Sequence, residues 1–322
     1  MVTLVTGGTG FVGSNIVKAL AMKGHSIICL DIAAPNAMVT AYLEPWKSQV
    51  SFVQGDVLNQ EDVERAAGTG VDRIVHAAVF TGIIPEIEKS RSRSIVEINL
   101  MGTTNMLELA SRLSVDRFLY VSSGSVYGDG PDLALVVTEE TQPQPRSLYA
   151  IGKHTSELLT RRYGELHGFQ TVSVRLGTPY GPMERITGHR ENQSLLKEWT
   201  ANIINGEPIE IGDDDRAEKR SFTYVTDIAN GVAAVLDAPR LSYDVYNNSS
   251  ADSSSMADII AVLQELRLDL TTKDVADRGL SGRASRMDAT RMEQDVGFAA
   301  KFGLADGLQD YLAWREASGY TE

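Results

Sequence analysis

Short apolar runs recur through the first half of the chain, spaced so that a helix fits between neighbours. Val2–Val5, Ser26–Leu30, Val50–Gln54, Asp72–His76 and Asp116–Ser122 are nearly continuous in apolar residues, the pattern of strands covered on both faces. Between several of them, apolar positions return at helical spacing over Phe11–Met22, Gln60–Ala67, Ser94–Leu113 and Leu148–His167, and Thr171–Leu176 supplies a sixth strand. Strand–helix alternation of this kind predicts right-handed crossovers and an α/β fold with a doubly wound parallel sheet. The rhythm breaks after Arg175. Gly177–Gly188 is rich in Gly and Pro, and a helix over about 191–205 and a short strand at Ile209–Ile211 follow. The helix Thr226–Leu236 and the run Val245–Asn247 return to the first pattern, and small helices with one strand complete the chain from Ser253. The expected organisation is a sheet domain over 1–176 and about 221–247, with a smaller α/β lobe built from two separate stretches, about 177–220 and 248–322.

Composition narrows the partners. With 322 residues, 43% apolar and 23% charged, the chain reads as an ordinary globular protein. No apolar stretch is long enough for a membrane helix. The first strand begins at once, without the basic region of a secretory signal. Cys29 is the single cysteine, so no disulfide framework or cysteine metal site forms, and a reducing cytoplasm is the expected compartment. A net charge of −13 opposes a nucleic-acid partner: Arg91 and Arg93 are separated by serine, and Arg278, Arg283 and Arg286 are spread over a loop. The run Asp213–Asp215 reads as a solvated turn, because a metal site needs ligands converging from elsewhere. No metal is expected.

Thr6-Gly7-Gly8-Thr9-Gly10-Phe11-Val12-Gly13 follows the first strand and opens the first helix. Glycines in that context allow a tight turn, close approach to a pyrophosphate and close helix–sheet packing, and the helix N-terminus offers free N–H groups to phosphates. This is the dinucleotide site of a Rossmann fold, with Gly7, Gly10, Phe11, Val12 and Gly13 as candidate contacts. Asp31 ends the second strand, where a carboxylate accepts ribose hydroxyls and repels a 2′-phosphate; NAD is therefore expected over NADP. Ala77 and Ala78 end the fourth strand, where small residues admit a ligand. His76 reads as a packed strand-end residue.

Tyr149 and Lys153 stand four apart on the helix Leu148–His167 and so share a face; an ammonium close to a phenol favours the phenolate. Ser122-Ser123-Gly124-Ser125 closes the fifth strand, at the carboxyl end where a doubly wound sheet binds its ligands. With these residues the chain resembles the extended short-chain dehydrogenases/reductases of the NAD-dependent epimerase/dehydratase family along nearly its whole length. The matching motifs are the glycine turn, Asp31, Gly55-Asp56-Val57, His76-Ala77-Ala78, and Asn99 before Gly102-Thr103. They continue with Ser122-Ser123-x-x-Val126-Tyr127-Gly128, Tyr149-x-x-x-Lys153, Arg175 with Tyr180-Gly181-Pro182, and Arg220-Ser221-Phe222-Thr223-Tyr224-Val225-x-Asp227. The resemblance implies that Ser123 orients the reacting oxygen and that Tyr149 is the general acid/base. Lys153 would bind the nicotinamide ribose. Asp56, Val57 and Asn99 join the cofactor site, and 177–179 pass near the nicotinamide.

Two departures bear on the reaction. Similar sugar dehydratases carry an Asp-Glu pair after the hydroxyl residue; here Gly124 and Ser125 stand there, which points to hydride exchange without loss of water. Enzymes of this kind that act on nucleotide sugars usually carry Asn against the diphosphate where this chain has Thr178. Arg220 matches a phosphate-binding arginine, with Arg278 or Arg283 as a possible partner, or it pairs with the acidic run. The basic segment 183–190 suits an anionic sugar. Candidate substrate contacts are thus Ser123, Ser125, Thr178, Arg185, Arg220 and Arg283. A nucleotide-sugar 4-epimerase leads, ahead of an NAD-dependent dehydrogenase of a smaller sugar, sugar acid or other hydroxy compound; a non-catalytic NAD sensor would not need Tyr149 and Lys153. Ile95, Ile98, Met101, Met106 and Leu109, with Leu158, Leu159 and Leu166, give the helices 94–113 and 148–167 apolar stripes. The resemblance implies a homodimer through these two helices.

Overall fold

The computed structural model describes residues 1–68, 70–128, 136–191, 193–212, 219–250, 252–276 and 286–321. Seven strands form one sheet: β1 (Val2–Thr6), β2 (Ser26–Asp31), β3 (Val50–Gln54), β4 (Arg73–His76), β5 (Arg117–Ser123), β6 (Gln170–Leu176) and β7 (Val245–Asn248). Their order is β7-β6-β5-β4-β1-β2-β3, and every neighbouring pair is parallel. The order reverses on either side of β1, so the crevice for a ligand opens at the carboxyl ends of β1 and β4. Thr6, Asp31, His76, Ser123 and Leu176 end their strands on that edge.

Alternate residues of the central strands feed two cores. Val5, Cys29, Val75, Leu119 and Val121 pack with the helices Phe11–Met22 and Val225–Asp237 on one face. Leu4, Leu30, Ile74, Phe118 and Tyr120 pack on the other face with Gln60–Ala67, Thr103–Leu113 and the partly buried Leu159 and Tyr163 of Leu148–His167. The near-continuous apolar runs of the sequence have this origin: neither side of a strand meets water. Cys29 is fully buried and burial pushes its thiol up, as befits an inert core residue.

A third core joins Tyr180, Leu196, Trp199 and Ile211 to Met256, Ile259, Leu308 and Tyr311, so residues from both sides of β7 share one interior. Short strand pairs support it: Ile209–Gly212 with Thr272–Val275, Thr178–Tyr180 with Phe222–Tyr224, and Lys219–Arg220 with Ser254–Ser255. The stretch after residue 248 is not of one piece, because Met292 of the helix Thr290–Val296 packs back into the sheet core.

Two helices differ from the sequence reading. The expected helix 94–113 consists of Ser92–Val96, a π-helical turn Glu97–Gly102, and Thr103–Leu113. The helix expected from about 191 begins at Leu195, where the Ser194 side chain caps it by accepting from the Lys197 N–H. Arg190 and Ser194, just before it, are held by Glu184. Among the described residues no helix is long and apolar enough to cross a membrane.

Candidate active site

The glycine turn is built by steric necessity. Gly7 has φ +70°, and a Cβ there would lie 2.8 Å from the Ala78 nitrogen; one on Gly13 would lie 2.0 Å from the Gly7 oxygen. Only bare backbone fits where the turn closes on itself and on Ala77-Ala78. Asp31 accepts from the Thr9 N–H at 2.9 Å and the Ala33 N–H at 3.0 Å, fixing the turn while facing the cleft. Gly7, Gly10, Phe11, Val12, Gly13, Asp31, Asp56, Val57, Ala77 and Ala78 all line that cleft. It combines a helix N-terminus with a cleft-facing carboxylate and a backbone cradle that a side chain would fill, which fits a dinucleotide.

Asn99 does not line the cleft. Its side chain is buried, accepting from the Phe80 N–H at 2.8 Å and donating to the Phe80 carbonyl at 3.1 Å. It holds the wall Val79–Thr81, part of which lines the cleft, in place from the π-helical turn. Arg185 sits on the dinucleotide side of the site. The basic segment lies over the dinucleotide cleft, and Arg185 Nη2 donates to the Thr9 carbonyl at 2.6 Å, so this arginine belongs to the cofactor side.

A chamber of about 420 Å³ adjoins the cleft, and both share Val12, Ala77, Val79, Thr81 and Arg190. Ser123, Ser125, Tyr149, Lys153, Thr178 and Arg220 line it; Arg278 and Arg283 lie outside the described residues, as does the run Asp213–Asp215. Ser125 donates from both N–H and hydroxyl to Ser123 Oγ, at 3.2 and 3.0 Å, which fixes that hydroxyl. A Cβ on Gly124 would lie 2.4 Å from Met287 Sδ, so apolar packing fills the space a side chain at this position would use. Lys153 is buried, its Nζ donating to the Val121 carbonyl at 2.6 Å and lying 5.8 Å from the centre of the Tyr149 ring. Burial brings its ammonium down to about 7, against a rise from Glu157. Tyr149 is pushed up by burial, while hydrogen bonding with Ser123 and the charge of Arg190 act downward. His76 is wholly buried between Thr6 Oγ1 at 2.7 Å and Thr103 Oγ1 at 3.1 Å, with its pKa brought down to about 3. A neutral packed ring of this kind is no catalyst.

Two supporting carboxylates escaped the sequence reading. Glu157, one turn beyond Lys153, accepts from Ser122 Oγ at 2.6 Å and, bidentately, from Arg175 at 2.9 and 2.7 Å. Burial raises its carboxyl and these partners lower it, with a net fall. Glu184 is wholly buried, accepting from the Ser194 N–H and hydroxyl, each at 2.7 Å, and from Arg190 at 3.0 Å. Helical spacing, Lys153 to Glu157, is a signal for the first; a lone Glu in a Gly- and Pro-rich loop carries none for the second.

The model of the NAD dependent epimerase/dehydratase family matches residues 3–248. The chain belongs to this family. NAD is its cofactor, and the cleft described above is where this chain's residues would hold it. A dTDP-glucose 4,6-dehydratase of Streptomyces niveus is 28% identical, with 97% of this chain and 91% of that protein covered. A probable UDP-glucuronate 4-epimerase of Rhizobium meliloti is 30% identical over 73% of this chain and 68% of that protein. The crystal structure of UDP-glucose 4-epimerase from Thermotoga maritima with UDP-glucose superposes with a TM-score of 0.85 at 22% identity, covering 99% of both chains. At that identity the match establishes the parallel-sheet fold.

Proposed function

We propose that this family member is a nucleotide-sugar epimerase that inverts an alcohol carbon, of the 4-epimerase kind, and not a 4,6-dehydratase. The observation that carries the reading is the chamber itself. It brings Ser123, Tyr149 and Lys153 together beside the dinucleotide cleft, and the two residues after Ser123 supply no carboxylate to remove water. In this reading Ser123 bonds the substrate oxygen and Tyr149 takes its proton, with Lys153 on the nicotinamide ribose. NAD held in the cleft would supply the acceptor for the carbon-bound hydride and the donor that gives it back on the opposite face. Tyr149 then gives the proton back, so the protein ends each cycle unchanged.

The basic segment favours a cofactor that stays bound. It reaches from the Thr9 carbonyl, through Arg185, to the Thr81 N–H, which donates to the His189 carbonyl at 2.8 Å. A strap tied to both rims suits an epimerase, which recycles its cofactor, better than a dehydrogenase, which exchanges it every turn. UDP-glucose and UDP-glucuronate epimerases among the relatives support a nucleotide-bearing substrate, for which Arg220 is the candidate phosphate contact and Thr178 and Ser125 further ones. Thr178 in place of Asn favours the alternative, a smaller hydroxy compound. The test incubates the protein, without added cofactor, with UDP-glucose, UDP-glucuronate, dTDP-glucose, free sugars and aldonates, and reads products by NMR. An epimer of one nucleotide sugar is expected. NADH accumulation with a free sugar or aldonate, or a dehydrated keto-sugar product, would overturn the reading.

A further inference from the structure

Arg190 stands where the two halves of the site meet, lining both the dinucleotide cleft and the chamber that holds Tyr149. It is fixed from several sides. Its Nη2 lies 3.0 Å from Glu184, its guanidinium 5.1 Å from the centre of the Phe11 ring, and its backbone pairs with Thr187 and bridges to Thr81. Glu184 cannot yield, being 0% exposed and held by Ser194. Arg190 Nε is buried and has no hydrogen-bond partner among the described residues. The Met183 backbone, at φ +74°, sets the entry to the segment in a conformation that a non-glycine residue holds only when its surroundings impose it. Arg190 is thus a cation placed by construction, at a cost in unsatisfied polarity that a surface arginine would not bear.

Two further cations line the chamber, Arg220 and Lys153, and Lys153 is tied to the backbone. Its Nζ bonds the Val121 carbonyl, and its burial leaves an ammonium that is only partly protonated at neutral pH. An arginine does not lose its proton. We propose that Arg190 is a positioning residue for proton transfer at Tyr149: a permanent cation, locked by Glu184, that favours the phenolate and sets the pH at which the tyrosine works. The proposal rests on Tyr149 being the general acid/base. Tyr149 shares the chamber lining with Ser123 from β5, Lys153 from its own helix, Arg190 from the strap and Arg220, and Tyr120 of β5 lies within electrostatic reach of it. Of these, Ser123 and Arg190 pull its titration downward against the burial that raises it.

The test reads Tyr149 directly, without turnover. The tyrosinate absorbance of the NAD-loaded protein is titrated with pH, and the curve of the same protein carrying Tyr149→Phe is subtracted. Arg190→Gln and Arg190→Met are expected to move the difference curve to higher pH by about one unit or more, the usual effect of one close charge. Arg190→Lys, which keeps the charge, is expected to move it less. Arg190→Met keeps an apolar stem on Phe11 and serves if the amide is not tolerated. A neutral variant whose Tyr149 titrates at the wild-type pH overturns the proposal. Inactivity of the wild type on every sugar tested bears only on the proposed reaction, since the titration needs no substrate.

Discussion

At the scale of single residues, the grouping of Ser123, Tyr149 and Lys153 in one chamber was legible because it depends on residue type and spacing, both of which a sequence displays. Tyr149→Phe is expected to lower turnover by about 10²- to 10⁴-fold, the usual worth of a general acid–base group. NAD binding, followed by fluorescence, should be retained, and near-wild-type turnover would refute the assignment. Asp31→Ala is expected to narrow the preference for NAD over NADP in parallel titrations, because it removes repulsion without adding attraction. Lys153 carries a pH signature. Its ammonium lets go of its proton near 7 in the folded protein against 10.5 in the open chain, so between these values the unfolded state binds the extra proton. Stability should therefore rise as pH climbs from about 7 toward 10, and its full cost is present below 7. Denaturant unfolding of Lys153→Met, without cofactor, is expected to show a flatter profile over that window. The surroundings of Lys153 were not legible: its spacing shows the shared face with Tyr149, but not the Val121 carbonyl that accepts from the ammonium.

At the scale of elements, the sheet strands and four helices could be read because two-sided burial and helical periodicity both persist over several residues. The lobe strands run to only two to four residues, too short to show a period. The π-helical turn Glu97–Gly102 keeps a helical apolar pattern, so nothing distinguishes it in advance, and from it Asn99 grips the Phe80 backbone. The strap 183–190 has no period at all; its path follows from Arg185, Glu184 and Arg190 finding partners far apart in the sequence. Glu157 ties the catalytic helix to β5 through Ser122 and to β6 through Arg175, with both members of the ion pair 5% exposed. Arg175→Met would leave the Glu157 carboxylate buried without its countercharge. A loss of about 3 to 5 kcal/mol in unfolding free energy is expected, measured by denaturant titration, and an unchanged midpoint would show that the pair does not brace the site.

At the scale of the molecule, the apolar stripes expected on the two long helical segments divide in two. Ile95, Met106 and Leu109 are buried in the chain and Ile98 lines the dinucleotide cleft, whereas Val96, Met101, Ile151, Leu158 and Leu166 are exposed. We propose that this outer set meets its copy across a two-fold axis, which would clamp the helix bearing Tyr149 and Lys153. Light scattering should then give twice 35.0 kDa; the mass of one chain would defeat the dimer, and Met101→Glu with Leu158→Glu is expected to produce it. The central claim is hydride removal and return at one carbon without loss of water, and one measurement addresses it most directly. The nucleotide sugar converted by the enzyme is incubated in deuterium oxide, and the product is examined by NMR. Because the hydride never meets solvent, the inverted carbon and its neighbours are expected to carry no carbon-bound deuterium. Deuterium on a carbon beside the oxidised one, or a product lacking an oxygen, would mean proton abstraction or elimination, and would contradict the account.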